Sequence, residues 1–99
     1  MRVLLTAQLD TEKANRAITD NKLPKIMSSL LEQVTPESAF FGAKDGVRTA
    51  FIVFDLKEPS DMPSVAEPLF QELGAKVTVM PVMNFDDVQA GLRKKYGSS

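Results

Sequence analysis

The sequence predicts an α+β fold in one small domain. The elements run β-α-β-β-α-β, with a further helix near the C-terminal end. Three observations carry that prediction. The run Val47 to Leu56, VRTAFIVFDL, is filled with aromatic and β-branched residues, the composition of a strand. Lys44-Asp45-Gly46 precedes it and follows another apolar run, and Asp-Gly between two such runs marks a tight hairpin. Two stretches with apolar residues three and four apart, the spacing of an amphipathic helix, flank that hairpin in the sequence.

Length and composition bound the rest. A chain of 99 residues is one domain, read here as 1–96, with 97–99 (Gly-Ser-Ser) expected as a disordered tail. Such a chain can fold alone around a modest core. A net charge of −1 argues against a polyanionic partner, because nucleic-acid surfaces are met by basic ones. The chain has no cysteine, which excludes disulfides, thiolate metal sites and a thiol nucleophile, and fits a cytoplasmic location. It has no histidine, so the commonest acid/base at neutral pH and the commonest transition-metal ligand are missing. No glycine-rich phosphate loop and no carboxylate cluster with metal-ligand spacing appears, so neither a cofactor nor a metal is expected. The apolar run after Arg2 is too short for a signal segment, and no run reaches membrane-spanning length, so no membrane partner is expected.

Taken in order, Arg2 to Leu9 alternates as a strand, with Val3, Leu5, Ala7 and Leu9 on one face and Leu4, Thr6 and Gln8 on the other. Asp10 or Thr11 then caps a helix. Lys13 to Val34 reads as helical with a break at Asp20-Asn21, and Pro24 suits the first turn of the renewed helix. Ile26, Met27, Leu30, Leu31 and Val34 form its core-facing stripe. Ser38 to Ala43 is a short strand that pairs antiparallel with the Val47 strand. Ser60 or Asp61 is expected to cap the next helix, whose apolar face is Val65, Ala66, Leu69, Phe70 and Leu73. Pro68 should kink this helix or loosen a turn, and Gly74 should end it. Ala75 to Val82 is the last strand, with Pro81 marking an edge position or the strand's end. Asn84 caps a short final helix, with Asp86 and Asp87 in its first turn and Arg93, Lys94 and Lys95 in its last. This order is that of the ferredoxin-like split βαβ fold, with both crossover helices on one face of a four-stranded antiparallel sheet.

The central strand is apolar on both faces. Ala50, Ile52, Phe54 and Leu56 are read as the helix-facing side. The second face of the sheet then carries Leu4, Thr6, Gln8, Thr49, Phe51, Val53, Asp55, Thr78, Met80 and Phe40, a large apolar patch if left in water. RNA-recognition domains share this topology, and Ala50 to Phe54 matches the end of their third-strand pattern. Val47, Arg48 and Thr49 replace its basic residue, glycine and first stacking aromatic, and the first strand has no aromatic, so nucleic acid is not expected as the cover. The remaining covers are a second copy, packed sheet to sheet, or a second copy with a small-molecule cavity left between the sheets.

The run Gly46 to Asp55, with Pro59-Ser60, Pro63, Glu67-Pro68-Leu69-Phe70, Ala75-Lys76-Val77 and Pro81-Val82-Met83-Asn84, resembles a group of uncharacterised short bacterial proteins of the dimeric α/β-barrel superfamily. The resemblance covers most of the chain. It implies the fold and a homodimer closed into an α/β barrel. That superfamily includes muconolactone isomerases and cofactor-free monooxygenases, several of which use a barrel histidine. This chain has none, so no catalytic residue is carried over.

The candidate ligand contacts are Thr6, Gln8, Arg48, Phe51 and Asp55. Asp55 ends the central strand, where a pocket wall is common, and as a general base it would need burial to raise its pKa. Arg48 has the fork that holds a carboxylate through two bonds. Thr6 and Gln8 supply polar contacts on an otherwise apolar face. Against these stand plainer roles: a turn cap for Asp55, a surface ion pair for Arg48, and seam hydrogen bonds for Thr6 and Gln8. Two functions therefore stay open. One is a small-molecule-binding barrel, extending to a cofactor-free enzyme acting on a hydrophobic or aromatic acid. The other is a non-catalytic homodimerisation module.

Overall fold

The computed structural model describes residues 1–97; Ser98 and Ser99 of the expected tail lie outside the described residues. The chain runs β1 (Arg2–Gln8), α1 (Thr11–Thr19), α2 (Leu23–Val34), β2 (Ser38–Lys44), β3 (Val47–Asp55), α3 (Met62–Leu73), β4 (Lys76–Pro81) and α4 (Phe85–Tyr96). The four strands form one antiparallel sheet in the order β2-β3-β1-β4. Order and pairing are those of a ferredoxin-like fold.

Local chemistry explains most boundaries. Asp10 is the cap of α1: its backbone is extended and its carboxylate accepts from the Lys13 N–H at 3.0 Å. Asn21 adopts a positive φ of 59° where the chain breaks between α1 and α2, and Pro24 stands in the first turn of α2, where its missing N–H costs nothing. The β2–β3 hairpin turns on Asp45 (φ 56°) and Gly46 (φ 78°), the two positive values of the tight turn that matches strand twist. Gly74 ends α3 at φ 53°. A Cβ there would lie 3.0 Å from Lys13 Cδ and 3.1 Å from Asp10 Cβ, so both conformation and close approach favour glycine.

The entry to α3 differs from the sequence expectation. Pro59–Asp61 forms a single 3₁₀ turn, and Asp61 makes no side-chain cap bond. Its backbone is already helical (φ −75°, ψ −20°), whereas a capping side chain reaches back from an extended residue. Ser64 Oγ instead donates to the Asp61 carbonyl at 2.9 Å. Pro68 lies inside α3, which nevertheless runs unbroken from Met62 to Leu73. Asn84 does cap α4, in a reciprocal box: its side chain accepts from the Asp87 N–H at 2.9 Å, and its own N–H donates to Asp87 Oδ2 at 3.2 Å.

The core lies between one sheet face and α1–α3. Val3, Leu5, Ala7 and Leu9 from β1 and its end, with Ala50, Ile52, Phe54 and Leu56 from β3 and its end, are all buried, as the alternation requires. They meet Ala14 and Ala17 of α1, Leu30 of α2, and Val65, Leu69 and Leu73 of α3. The α2 stripe is less deeply covered than its pattern suggests, since Leu23, Ile26, Met27, Leu31 and Val34 remain half-buried. The final helix is no short appendage: its 12 residues equal those of α2 and α3, and none is buried. The molecule measures 57 Å along its longest axis and has a radius of gyration of 16.1 Å, against about 13 Å for a compact chain of this length.

Candidate functional site

The strand register arranges the open sheet face in three rows. The middle row is Phe40, Phe51, Thr6 and Thr78, read from β2 across to β4. On one side lies the row Ser38, Val53, Leu4 and Met80; on the other, Gly42, Thr49, Gln8 and Lys76. The faces are set by strand alternation: in β1 and β3 each of these residues sits one step from a buried core residue, and the register carries the same parity to β2 and β4. Two adjacent rows are therefore mostly apolar and open. Phe40 is 69% exposed and Met80 54%, while Leu4, Phe51 and Val53 are half-buried by their neighbours in the sheet.

Charged groups close both ends of this face. At the hairpin end, Gln8 Nε2 donates to Asp45 Oδ2 at 2.9 Å and more weakly to the Lys44 carbonyl at 3.4 Å. The Gln8 bond, followed by Lys44, holds the Asp45 carboxyl below the usual carboxylate range. Thr49 beside them is buried, and its hydroxyl donates to the Val47 carbonyl at 3.0 Å. At the other end Arg2 bridges three segments. Its Nε donates to Glu37 Oε1 at 2.9 Å, just ahead of β2, and its Nη1 to Asp87 Oδ2 at 3.2 Å, in the first turn of α4. These contacts, Glu37 foremost, raise the Arg2 pKa further. Arg2 has no part in the sequence expectation; the signal for it was its place in the even-numbered series Arg2, Leu4, Thr6, Gln8.

Of the five expected ligand contacts, the fold brings Thr6 and Phe51 together as direct cross-strand partners and puts Gln8 one row away. Asp55 lies at the far end of the same face, beside Arg2, and Arg48 lies on the other side of the sheet. Asp55 is six residues beyond Thr49, the partner of Gln8, which is about 20 Å along the strand. Its carboxylate accepts from the Met1 amino group at 2.6 Å, and this bond holds its pKa down. A general base needs the opposite shift. Arg48 is in the alternate series with Ala50, Ile52 and Phe54, so it belongs to the helix side. There it borders a cleft of ≈ 420 Å3 lined by Leu9, Leu23, Met27, Phe41, Thr49 and Ala50, open because α2 leaves Phe41 of the edge strand 56% exposed.

A second cleft of ≈ 480 Å3 lies between the end of α2 and the start of α3. Its wall is mixed, with Gln33, Asp55, Lys57, Asp61 and Ser64 beside Val34, Leu56 and Val65, and Gln33 Nε2 donates to Ser64 Oγ at 2.8 Å. Among the described residues no group of three or more carboxylates is placed to hold a metal ion, and no helix is long and apolar enough to cross a membrane. The open face thus offers apolar contact with a hydroxyl at its centre and charges at its ends. It assembles no nucleophile with a base. No family model matches the chain, and no curated protein matches it.

Proposed function

We propose that the protein is a homodimeric α/β barrel that binds a small hydrophobic or aromatic acid. One observation carries the reading: Phe40, Phe51, Leu4, Val53 and Met80 form an apolar field on the sheet face opposite α1–α3. A patch of that kind on a small chain is an interaction surface. Two copies stacked face to face about a twofold axis cover both fields at once, with sheets about 10 Å apart. Thr6 at the centre and the Gln8–Asp45 pair at one end then edge the space between the sheets. A mostly apolar lining with a few placed polar groups is what small-ligand sites use. Binding is favoured over turnover, because Asp55 is held ionised and neutralised by Met1. Free of cysteine, the chain suits the cytoplasm.

The mass in solution over a range of concentrations tests the interface. Wild type should be a dimer at concentrations where Phe51→Lys, still folded, has lost the sheet-to-sheet contact and shows a lower mass. A wild-type monomer throughout the range would sink the reading. Thermal melts with aromatic and aliphatic carboxylic acids test the ligand. A rise in melting temperature that is lost in Thr6→Val places the acid between the sheets. One specific observation favours another seat for it: the helix-side cleft is nearly all apolar and has Arg48 at its rim, suited to a carboxylate. A rise lost in Arg48→Ala instead would place it there. No rise with any acid leaves the non-catalytic homodimerisation module.

A further inference from the structure

We propose that α4 is a second self-association element, which pairs antiparallel with α4 of another copy through the stripe Phe85, Val88, Leu92 and Tyr96. The stripe has steps of three, four and four, so its residues share one helix face. Most of it is open: Phe85 is 72% exposed, Leu92 54% and Tyr96 74%, while Val88 is half-buried, and Met83 just before the helix is 64% exposed. A helix that is apolar on one face and buries no residue has its stabilising contact elsewhere, since short helices draw most of their stability from packing. The root of α4 is fixed. Asn84 and Asp87 form the capping box, and Arg2 ties Asp87 to the sheet. The remaining two turns bury no residue.

Charge selects the occupant and the direction. The first turn is acidic, with Asp86 and Asp87, and the last is basic, with Arg93, Lys94 and Lys95. The helix dipole favours these signs in any helix. What it leaves unexplained is that Asp86, Arg93 and Lys95 take part in no ion pair among the described residues while flanking a largely exposed stripe. A second α4 laid antiparallel sets each acidic turn opposite a basic one; laid parallel, it sets like against like. Asp86 and Arg93 are seven residues apart, about two turns, so they lie on the same flank of the stripe. An antiparallel twofold contact brings Asp86 of each copy beside Arg93 of the other, twice over. Phe85 of each copy likewise meets Tyr96 of the other. This contact is separate from the sheet face and stands whether or not that face pairs. It is small, about 17 Å of helix, so the association should depend strongly on concentration.

The test is sedimentation equilibrium on the full chain, with circular dichroism to confirm that each variant is folded. Because α4 contributes nothing to the core, its variants should keep the sheet intact. Leu92→Glu should weaken self-association about tenfold or more, as expected for a charge placed on a buried apolar contact. Asp86→Arg and Arg93→Asp should each weaken it, and the two together should restore it to near wild type. Failure of the double reversal to improve on the single ones would overturn the pairing, as would a mass curve for Leu92→Glu that superimposes on wild type. Adding each variant to Phe51→Lys separates the two surfaces: an association that survives Phe51→Lys but not Leu92→Glu belongs to α4 alone. If Phe51→Lys changes nothing, it is the sheet-face reading that fails.

Discussion

Leu5 and Thr6 are neighbours in the same strand, yet they belong to different environments. Leu5 is fully enclosed between the sheet and three helices, and Thr6 faces outward in the middle of an open apolar field. The same division runs through Ile52 and Phe51 in β3. Within one chain the inner face has its cover and the outer face does not, although both are built largely of apolar residues. The inner face therefore holds the fold together. The outer face is free to be used for binding, since its side chains contribute little to the stability of an isolated protomer.

That contrast can be broken or sharpened by substitution. The largest effect is expected at Ile52, which has no exposure: Ile52→Ala should cost about 3 kcal/mol in urea unfolding, through lost transfer energy and a cavity under the helices. An inner face that tolerated this change would mean that the helices do not form a close-packed cover. Val53→Ala, one residue along, should cost about 1 kcal/mol or less in dilute protein, because it is only half-buried, by its neighbours in the sheet. If the proposed sheet-to-sheet dimer forms, the same variant should cost more at high concentration, and equal cost at both concentrations would count against that dimer.

Thr49 is the outer-face residue that behaves as an inner one, being 3% exposed with its hydroxyl bonded to the Val47 carbonyl. Thr49→Ala should cost about 1 kcal/mol at any concentration, a typical value for a lost hydrogen bond. The smallest effect is electrostatic. Asp45 has a lowered pKa in the folded state, so its contribution is present above the unfolded carboxylate pKa of about 4 and is lost as pH falls through the folded value. Asp45→Asn keeps the turn, because asparagine also tolerates a positive φ. It should flatten the fall in melting temperature on the acid side and leave neutral pH nearly unchanged, as expected for an exposed pair. An unchanged acid limb would mean that Gln8 and Lys44 do not hold the carboxylate in solution.

The contrast between α3 and α4 carries a second lesson. Both have 12 residues and an apolar stripe, but α3 buries Val65, Ala66, Leu69 and Leu73 while α4 buries none. Spacing identifies a face that needs cover. It does not say whether the cover comes from the same chain.

Much of the architecture was legible in the residues themselves, because it depends on local rules. Alternation fixed which of Val3, Leu5, Ala50 and Ile52 point inward, Asp45-Gly46 fixed the hairpin, and Asp10, Asn84 and Gly74 fixed three helix ends. The entry to α3 escaped, since whether Asp61 caps depends on a backbone already turned by the 3₁₀ segment before it. The site was far less legible. Thr6 and Phe51 could be placed together because parity and register suffice. Arg48 could be separated from them by parity alone, as it alternates with Thr49 and shares its side with Ala50. The bond between Asp55 and the Met1 amino group could not be foreseen without the tertiary structure, because the two lie 54 residues apart in sequence. The link from Arg2 to Glu37 and Asp87 likewise joins segments 35 and 85 residues apart. Sequence alone determined the elements and their faces, whose causes act within a few residues. Only the tertiary structure decided which polar groups are already spent on one another and which apolar faces remain uncovered, because those depend on where distant parts of the chain come to rest.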